Sequence, residues 1–224
     1  MKKRPRVLFL TKHDRPYVDK AVAYLKRKLK CQPELFRGEV GDPFPKKVLG
    51  THYDAVISYL SPWIVPKKTL ERTRRWNLNF HPGPPDYPGI GCFNFALYHG
   101  QKEYGVTAHE MAPAVDTGRV VGVKRFKLLS GESVKSLSSK SYKAMFELFK
   151  DTVDFIAKHG TLPESSERWK RRPFLRKELE ALCRISPEMG REEVERRLRA
   201  THFPGKPGPY LEFQEFKFVY DPER

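Results

Sequence analysis

The chain alternates between strand-length apolar runs and stretches with helical spacing. Residues 6–11 form a short apolar run, and beyond a polar loop Val18, Val22, Leu25 and Leu29 recur at four, three and four, which puts them on one helical face. Asp14-Arg15-Pro16 ahead of that face predicts a capping residue and a proline near the first turn. Residues 54–60 are almost continuously apolar, as a strand covered on both faces of a parallel sheet must be. The run enters Ser61-Pro62-Trp63-Ile64-Val65-Pro66, where two prolines predict an irregular extended segment. Residues 76–80 read as the next strand, 91–99 as a short helix stopped by Gly100, and 104–111 as an alternating strand. Residues 119–128 return across an Asp116-Thr117-Gly118 turn. A long helix is predicted over 133–159, with Val134, Leu137, Met145, Leu148 and Ile156 on or near one face and Gly160 as its stop.

Beyond Gly160 the texture changes. Residues 161–176 are polar and basic with Pro163 and Pro173, which predicts a connection crossing the surface. Short helical pieces follow at 177–183 and 191–200, then a turn region at 201–210 and a strand-like ending at 211–220. The pattern as a whole predicts an α/β protein with a Rossmann-like sheet, a core over 1–160 and a short helix and strand extension over 161–224. The first strand leads into Thr11-Lys12-His13-Asp14-Arg15, which has no glycine where a dinucleotide or Walker-type phosphate loop needs close backbone approach. That argues against both kinds of nucleotide binding.

Composition narrows the class. With 224 residues, 39% hydrophobic and 12% aromatic, the chain has material for one substantial core and a small appended element. No apolar run approaches a membrane span, so no membrane partner is expected. Residues 1–6 are basic, but only Val7 to Leu10 follow as an apolar stretch, so the start reads as a first strand and not as a secretory leader. Cys31, Cys92 and Cys183 are odd in number and widely spaced, which fits a reducing, cytoplasmic compartment and no thiolate zinc site. The net charge of +16 is spread from Lys2 to Lys217, with local runs at Lys67-Lys68, Arg74-Arg75 and Lys170-Arg171-Arg172. Such dispersion reads first as a solvated surface, though a positive field also speeds encounter with an anionic substrate such as a sugar nucleotide or a tRNA.

The candidate chemistry lies at the strand ends. Asn79-Phe80-His81-Pro82-Gly83-Pro84-Pro85-Asp86 places an amide and an imidazole beside a loop too rich in proline and glycine for regular structure, and Asp116 follows downstream. An imidazole that titrates near neutrality can relay a proton, an amide can donate to an oxyanion, and a carboxylate can orient and charge-stabilise the imidazole. Taken singly, each of these residues is also an ordinary turn residue. His109, inside an alternating strand, reads as packed or hydrogen-bonded structurally in preference to lining the cleft. A metal held by His81, His109 and Asp116 is chemically conceivable, but nothing in the spacing demands one and none is expected.

These motifs occur in order as Asn79-x-His81-Pro82, Gly105-x-Thr107-x-His109 and Val115-Asp116-x-Gly118, and in that arrangement the chain resembles the folate-dependent formyltransferase family from its first strand to about His159. One departure is visible, because the family's His-Pro-Ser-Leu-Leu-Pro stands here as His81-Pro82-Gly83-Pro84-Pro85-Asp86. The resemblance implies an N-formyltransferase core using 10-formyltetrahydrofolate as formyl donor and no metal. It makes Asn79, His81 and Asp116 the catalytic residues, and it nominates Pro62, Trp63, Ile64, Val65, Ala112, Pro113, Ala114, Val115 and Asp116 as the folate site. For Trp63 alone, a hydrophobic plug under a loop is an equal reading.

The acceptor implied is a primary amine. The glycine-rich loop of the purine-pathway enzyme is absent, and the tail is too short for the barrel of the methionyl-tRNA enzyme, while 198–210 is similar to an element of the tRNA and sugar branches. The expected acceptor is therefore the amine of an anionic nucleotide-linked amino-deoxysugar, with a homodimer through the tail as a further expectation. The alternatives are a tRNA- or polyamine-directed enzyme without the full barrel, and a non-catalytic module that holds folate or RNA.

Overall fold

The computed structural model describes residues 4–222; Met1, Lys2 and Lys3 of the basic N-terminal run, like 223–224, lie outside the described residues. Apolar runs and helical spacing resolve into β1 (Val7–Lys12), α1 (Val18–Leu29), β2 (Glu34–Gly38), α2 (Lys46–Leu49), β3 (Ala55–Tyr59), α3 (Lys67–Glu71), β4 (Trp76–His81), α4 (Cys92–Tyr98), β5 (Glu103–Glu110), β6 (Val120–Lys127) and α5 (Val134–His159). The tail adds α6 (Arg176–Cys183), β7 (Arg184–Ile185), α7 (Arg191–Thr201), β8 (Tyr210–Phe213) and β9 (Phe216–Val219). The main sheet has six strands in the order β2-β1-β3-β4-β5-β6. Its first four strands pair in parallel, whereas β4 with β5 and β5 with β6 pair antiparallel. The chain leaves β1 toward β2 on one side and returns to β3 on the other, so the topological switch point, where α/β sheets form their ligand crevice, falls between β1 and β3.

Burial explains the strands. β1 and β3 are buried at nearly every residue, with α1 and α5 covering one face around Phe9, Ile57, Tyr59, Phe80 and Phe149. On the other face Leu8 packs with Leu10, Val56 and Val65. β5 is buried from Tyr104 to His109 on both faces, so its alternating polarity marks no solvent side: an interior strand has none. α5 begins at a capping box between Ser133 and Ser136 and ends at Gly160 with φ 74°, a left-handed stop that glycine adopts without strain.

Three expectations need correction. Asp14 does not cap α1; the chain makes left-handed turns at Asp14 (φ 48°) and Tyr17 (φ 66°), and Tyr17 stacks on Phe146 of α5, so the helix enters at Val18 without a side-chain cap. The ending at 211–220 is not one strand but a β8–β9 hairpin, turned at Gln214 and Glu215 with φ of 46° and 68°. No Asn-Gly or Asp-Gly pair marks that turn. Finally, 161–176 is more than a surface connection, because Phe174 exchanges backbone hydrogen bonds with Pro88 and Ile90 and stacks on Phe95 at 3.7 Å between ring centroids. The tail beyond this strap docks on α4, with Asn94 donating to the Ala200 carbonyl and Tyr98 to Glu193.

Candidate active site

Strand geometry delivers the key side chains. Asn79 and His81 are two residues apart on β4 and therefore share a face, and antiparallel pairing sets His109 of β5 directly opposite Asn79. Asp116 comes from the loop after β5. It has φ 48°, a left-handed backbone that Asp tolerates better than most residues but at a cost of about 1 kcal/mol. Leu60, at the end of β3 in the same cleft, shows the same conformation with φ 54°. Strain of this kind collects where the surroundings fix a site's geometry.

Asp116 is the hub. Its Oδ2 lies 3.2 Å from Nδ1 of His81 and accepts the Gly89 N–H at 2.8 Å, while its Oδ1 lies 3.2 Å from Nε2 of His109. The amide of Asn79 contacts Nε2 of His109 at 2.9 Å and Oδ1 of Asp116 at 3.5 Å. His81, His109 and Asp116 are 5%, 2% and 6% exposed. The second nitrogen of each ring is anchored on a carbonyl, Nε2 of His81 on Tyr87 at 2.9 Å and Nδ1 of His109 on Glu110 at 2.8 Å. Nδ1 of His109 thus carries a proton, and Nε2 faces two partners: it accepts from Asn79 when the ring is neutral and donates to Oδ1 of Asp116 when the ring holds two protons. Both nitrogens of His81 face acceptors, so that ring serves both only when it holds two protons.

The sequence alone casts His109 as structural. It is hydrogen-bonded as expected, but within the cluster and lining the cleft. The nitrogens a metal would need are turned toward Asp116, Asn79 and backbone carbonyls, and among the described residues no group of three or more His, Cys, Asp or Glu is arranged to hold an ion.

Burial pushes the Asp116 carboxyl up, but the His81 charge, the His109 hydrogen bond and charge, and the Gly89 N–H outweigh it and hold the group well below the usual carboxylate range. A depressed folded value means that this carboxylate stabilises the fold fully above its ordinary value of about 3.9 and loses that contribution as pH falls toward its own lower value. In urea titrations the stability gap between the wild type and Asp116→Asn should therefore be widest near neutrality and close progressively below about pH 4. A gap that stays constant across that range would contradict the assignment.

Trp169, on the strap, escapes a reading of the sequence. Its ring meets His81 and His109 edge-on at centroid distances of 5.9 and 5.0 Å, and its Nε1 donates to the Gly118 carbonyl at 2.8 Å. A lone Trp in a polar, basic stretch is the only signal the sequence carries. The strap thereby ties down the loop that carries Asp116 and covers the two imidazoles.

A cleft of about 670 Å³ opens over this cluster, within the range of small-molecule sites. Pro62, Trp63, Ile64 and Val65 line it after β3, and Ala112, Ala114, Val115 and Asp116 after β5, so the two nominated segments flank β4; Pro113 does not reach it. Ile64 and Val115 are 68% and 44% exposed, apolar surface that a flat ring could cover. Trp63 combines both readings, since it lines the cleft but is fixed by Nε1 donating to the Asp42 carbonyl and by packing on Phe44. The apolar walls and flanking loops fit a folate.

Residues 46–153 match the formyl transferase family. A methionyl-tRNA formyltransferase of Thermodesulfovibrio yellowstonii is 30% identical over 137 residues, covering 60% of this chain and 43% of that protein. The chain spans less than half the length of the relatives it matches in this way. Among solved structures, a sugar N-formyltransferase from a Shewanella species superposes with TM-score 0.79 at 17% identity, covering 97% of both chains. An N-formyltransferase from Helicobacter canadensis, in complex with folinic acid and dTDP-3-aminofucose, superposes with TM-score 0.68 at 14% identity over 96% of this chain and 94% of that one.

Proposed function

We propose that this member of the folate-dependent formyltransferase family transfers a formyl group from 10-formyltetrahydrofolate to the amine of a nucleotide-linked amino-deoxysugar. The observation that carries formyl transfer is the buried cluster in which Asp116 joins His81 and His109 beside the Asn79 amide, at the floor of a cleft with apolar walls.

A folate held by Pro62 to Val65 and by Ala112, Ala114, Val115 and Asp116 would supply the formyl group. His81 and Asp116 act as one unit that takes up a proton from the amine and returns it to the departing nitrogen, and the 3.2 Å contact keeps that proton within the site. Tyr87 fixes the imidazole by its carbonyl, so the ring stays aimed at Asp116. The Asn79 amide nitrogen contacts His109 at 2.9 Å and Asp116 over a long 3.5 Å, two partners that lie close together on one side of it, which leaves an N–H free to turn to a developing oxyanion. Such a donor typically contributes roughly 3 kcal/mol. His109 holds Asn79 in place, and Trp169 keeps water from the pair.

Neighbours matched over nearly the whole of their solved chains, one named as a sugar N-formyltransferase and one an N-formyltransferase in complex with a dTDP-amino sugar, support the sugar as acceptor. Methionyl-tRNA formyltransferases among the sequence relatives support the second reading. A nucleotide sugar brings only a diphosphate, so its Michaelis constant should respond moderately to salt. A tRNA steepens the log–log dependence by about 0.7 to 0.9 per phosphate contact. The deciding experiment incubates the protein with 10-formyltetrahydrofolate and amino sugars, sugar nucleotides or initiator methionyl-tRNA, and reads product mass across a salt series. Formylated sugar nucleotide with a shallow slope is expected; formyl-methionyl product with a steep slope would transfer the assignment to tRNA. Tetrahydrofolate release that stays at background with every acceptor would favour a non-catalytic binding module instead. The homodimer belongs to the same reading, resting on Phe213, Phe216, Phe218 and Val219 exposed on the tail hairpin, and is read from the mass in solution.

A further inference from the structure

We propose that Lys12, Arg15 and Arg176 form an anion subsite in the catalytic cleft that holds the diphosphate of the acceptor, an inference that rests on the amino-sugar reading above.

All three line the same cleft as Asn79, His81 and Asp116. Lys12 ends β1 and Arg15 sits in the loop after it, at the switch point of the sheet, while Arg176 opens α6 across the cleft on the tail. Register fixes the separation: Leu10 pairs with Ser58 and Ser58 with Asn79, so two residues further on Lys12 stands level with His81, two strands away. Two strand spacings amount to about 10 Å, room for a sugar ring and its phosphoester between the reacting amine and the anion.

Little in the protein neutralises this end. Among the described residues none of the three cations enters an ion pair, in a chain where most other arginines of the tail do. The Nε of Arg15 is buried without a hydrogen-bond partner, and an orphaned charged donor carries the full cost of its desolvation. Lys12 is held below the usual lysine range by burial first and then by the Arg15 charge, with Arg176 and Lys206 acting the same way and only Glu39 opposing. Like charges gathered in a cleft, one of them with an unused buried donor, are arranged for a multivalent anion. This also explains how the glycine-free loop after β1 can serve an anionic substrate, with side-chain cations in place of backbone N–H groups. Lys12 and Arg15, partly buried in the cleft with Arg176 at its exposed edge, suit a compact diphosphate better than the extended backbone of a tRNA, which needs an outward-facing stripe.

The test measures binding of inorganic pyrophosphate, UDP and dTDP to the full chain by calorimetry, in the wild type and in Lys12→Met, Arg15→Gln and Arg176→Gln, with a reduced folate as a second ligand. Each substitution should weaken the phosphate probes about tenfold or more and leave the folate's affinity unchanged. Lys12 is half-buried and Arg176 exposed, so these two variants decide the matter even where Arg15→Gln lowers stability. Equal pyrophosphate affinity in all variants, or none in the wild type with folate bound, overturns the subsite. Phosphate binding that depends on the three residues, without formylation of any sugar nucleotide, supports the subsite and overturns the acceptor reading. Formylation of a sugar nucleotide with an unchanged Michaelis constant in the variants does the reverse.

Discussion

Replacing His81 by alanine is expected to lower turnover by about 10²- to 10⁴-fold while reduced-folate affinity stays close to that of the wild type. The reason is where the ring sits. It touches Asp116 and the Tyr87 carbonyl on the floor of the cleft, while the segments nominated for the folate follow β3 and β5, so its loss removes proton handling and not the walls. An interaction made mainly in the transition state appears in kcat and in kcat/KM together. Some stability goes as well, because the substitution leaves the Tyr87 carbonyl and the Asp116 carboxylate each short of a partner, a cost of about 1–3 kcal/mol. Single-turnover kinetics with folate binding measured in parallel make the check. Folate affinity and thermal stability falling together, with little change in the chemical rate, would reduce His81 to a structural residue.

Gly118→Ala should cost at least about 1–3 kcal/mol and most of the activity, although it adds one methyl group two residues from Asp116. A Cβ at Gly118 would stand 1.8 Å from the Glu110 carbonyl oxygen and 2.8 Å from its carbon, both backbone atoms that cannot step aside. Relief requires the loop after β5 to lift off the strand end. Asp116 would move with it, and the Gly118 carbonyl would lose Trp169 Nε1. Gly50→Ala is the control, since Gly50 has φ −97° and no atom within 4 Å of an added Cβ, so it should unfold at the wild-type denaturant concentration or slightly above it. Equal denaturant midpoints for Gly118→Ala and the wild type would show that the Gly118 approach is not as close as described.

Local patterns in the sequence decide the elements. The four-three-four spacing in α1, the apolar run of β3, and Ser133 and Gly160 at the ends of α5 follow from propensity, burial and capping, which act over a few residues. The strand ends carrying Asn79 and His81 are legible for the same reason, and so is the order of the motifs. β2 escapes because it is an edge strand of mixed polarity, and the β8–β9 turn because Gln214 and Glu215 adopt left-handed backbones without the usual residues.

What the tertiary structure alone decided is which distant residues meet. His109 looks like any packed strand residue until β5 pairs antiparallel with β4 and sets it opposite Asn79. Trp169 and Phe174 stand in a basic stretch with no periodicity, and only the docking of the strap on Gly89 and Gly118 brings one over the imidazoles and the other into the cleft wall. The same is true of Lys12, Arg15 and Arg176, in a charge of +16 that reads as dispersed along the chain. Residue types and short-range spacing are written in the sequence, whereas convergence in space depends on strand order, register and the path of the strap, and these are fixed only when separate segments bury one another.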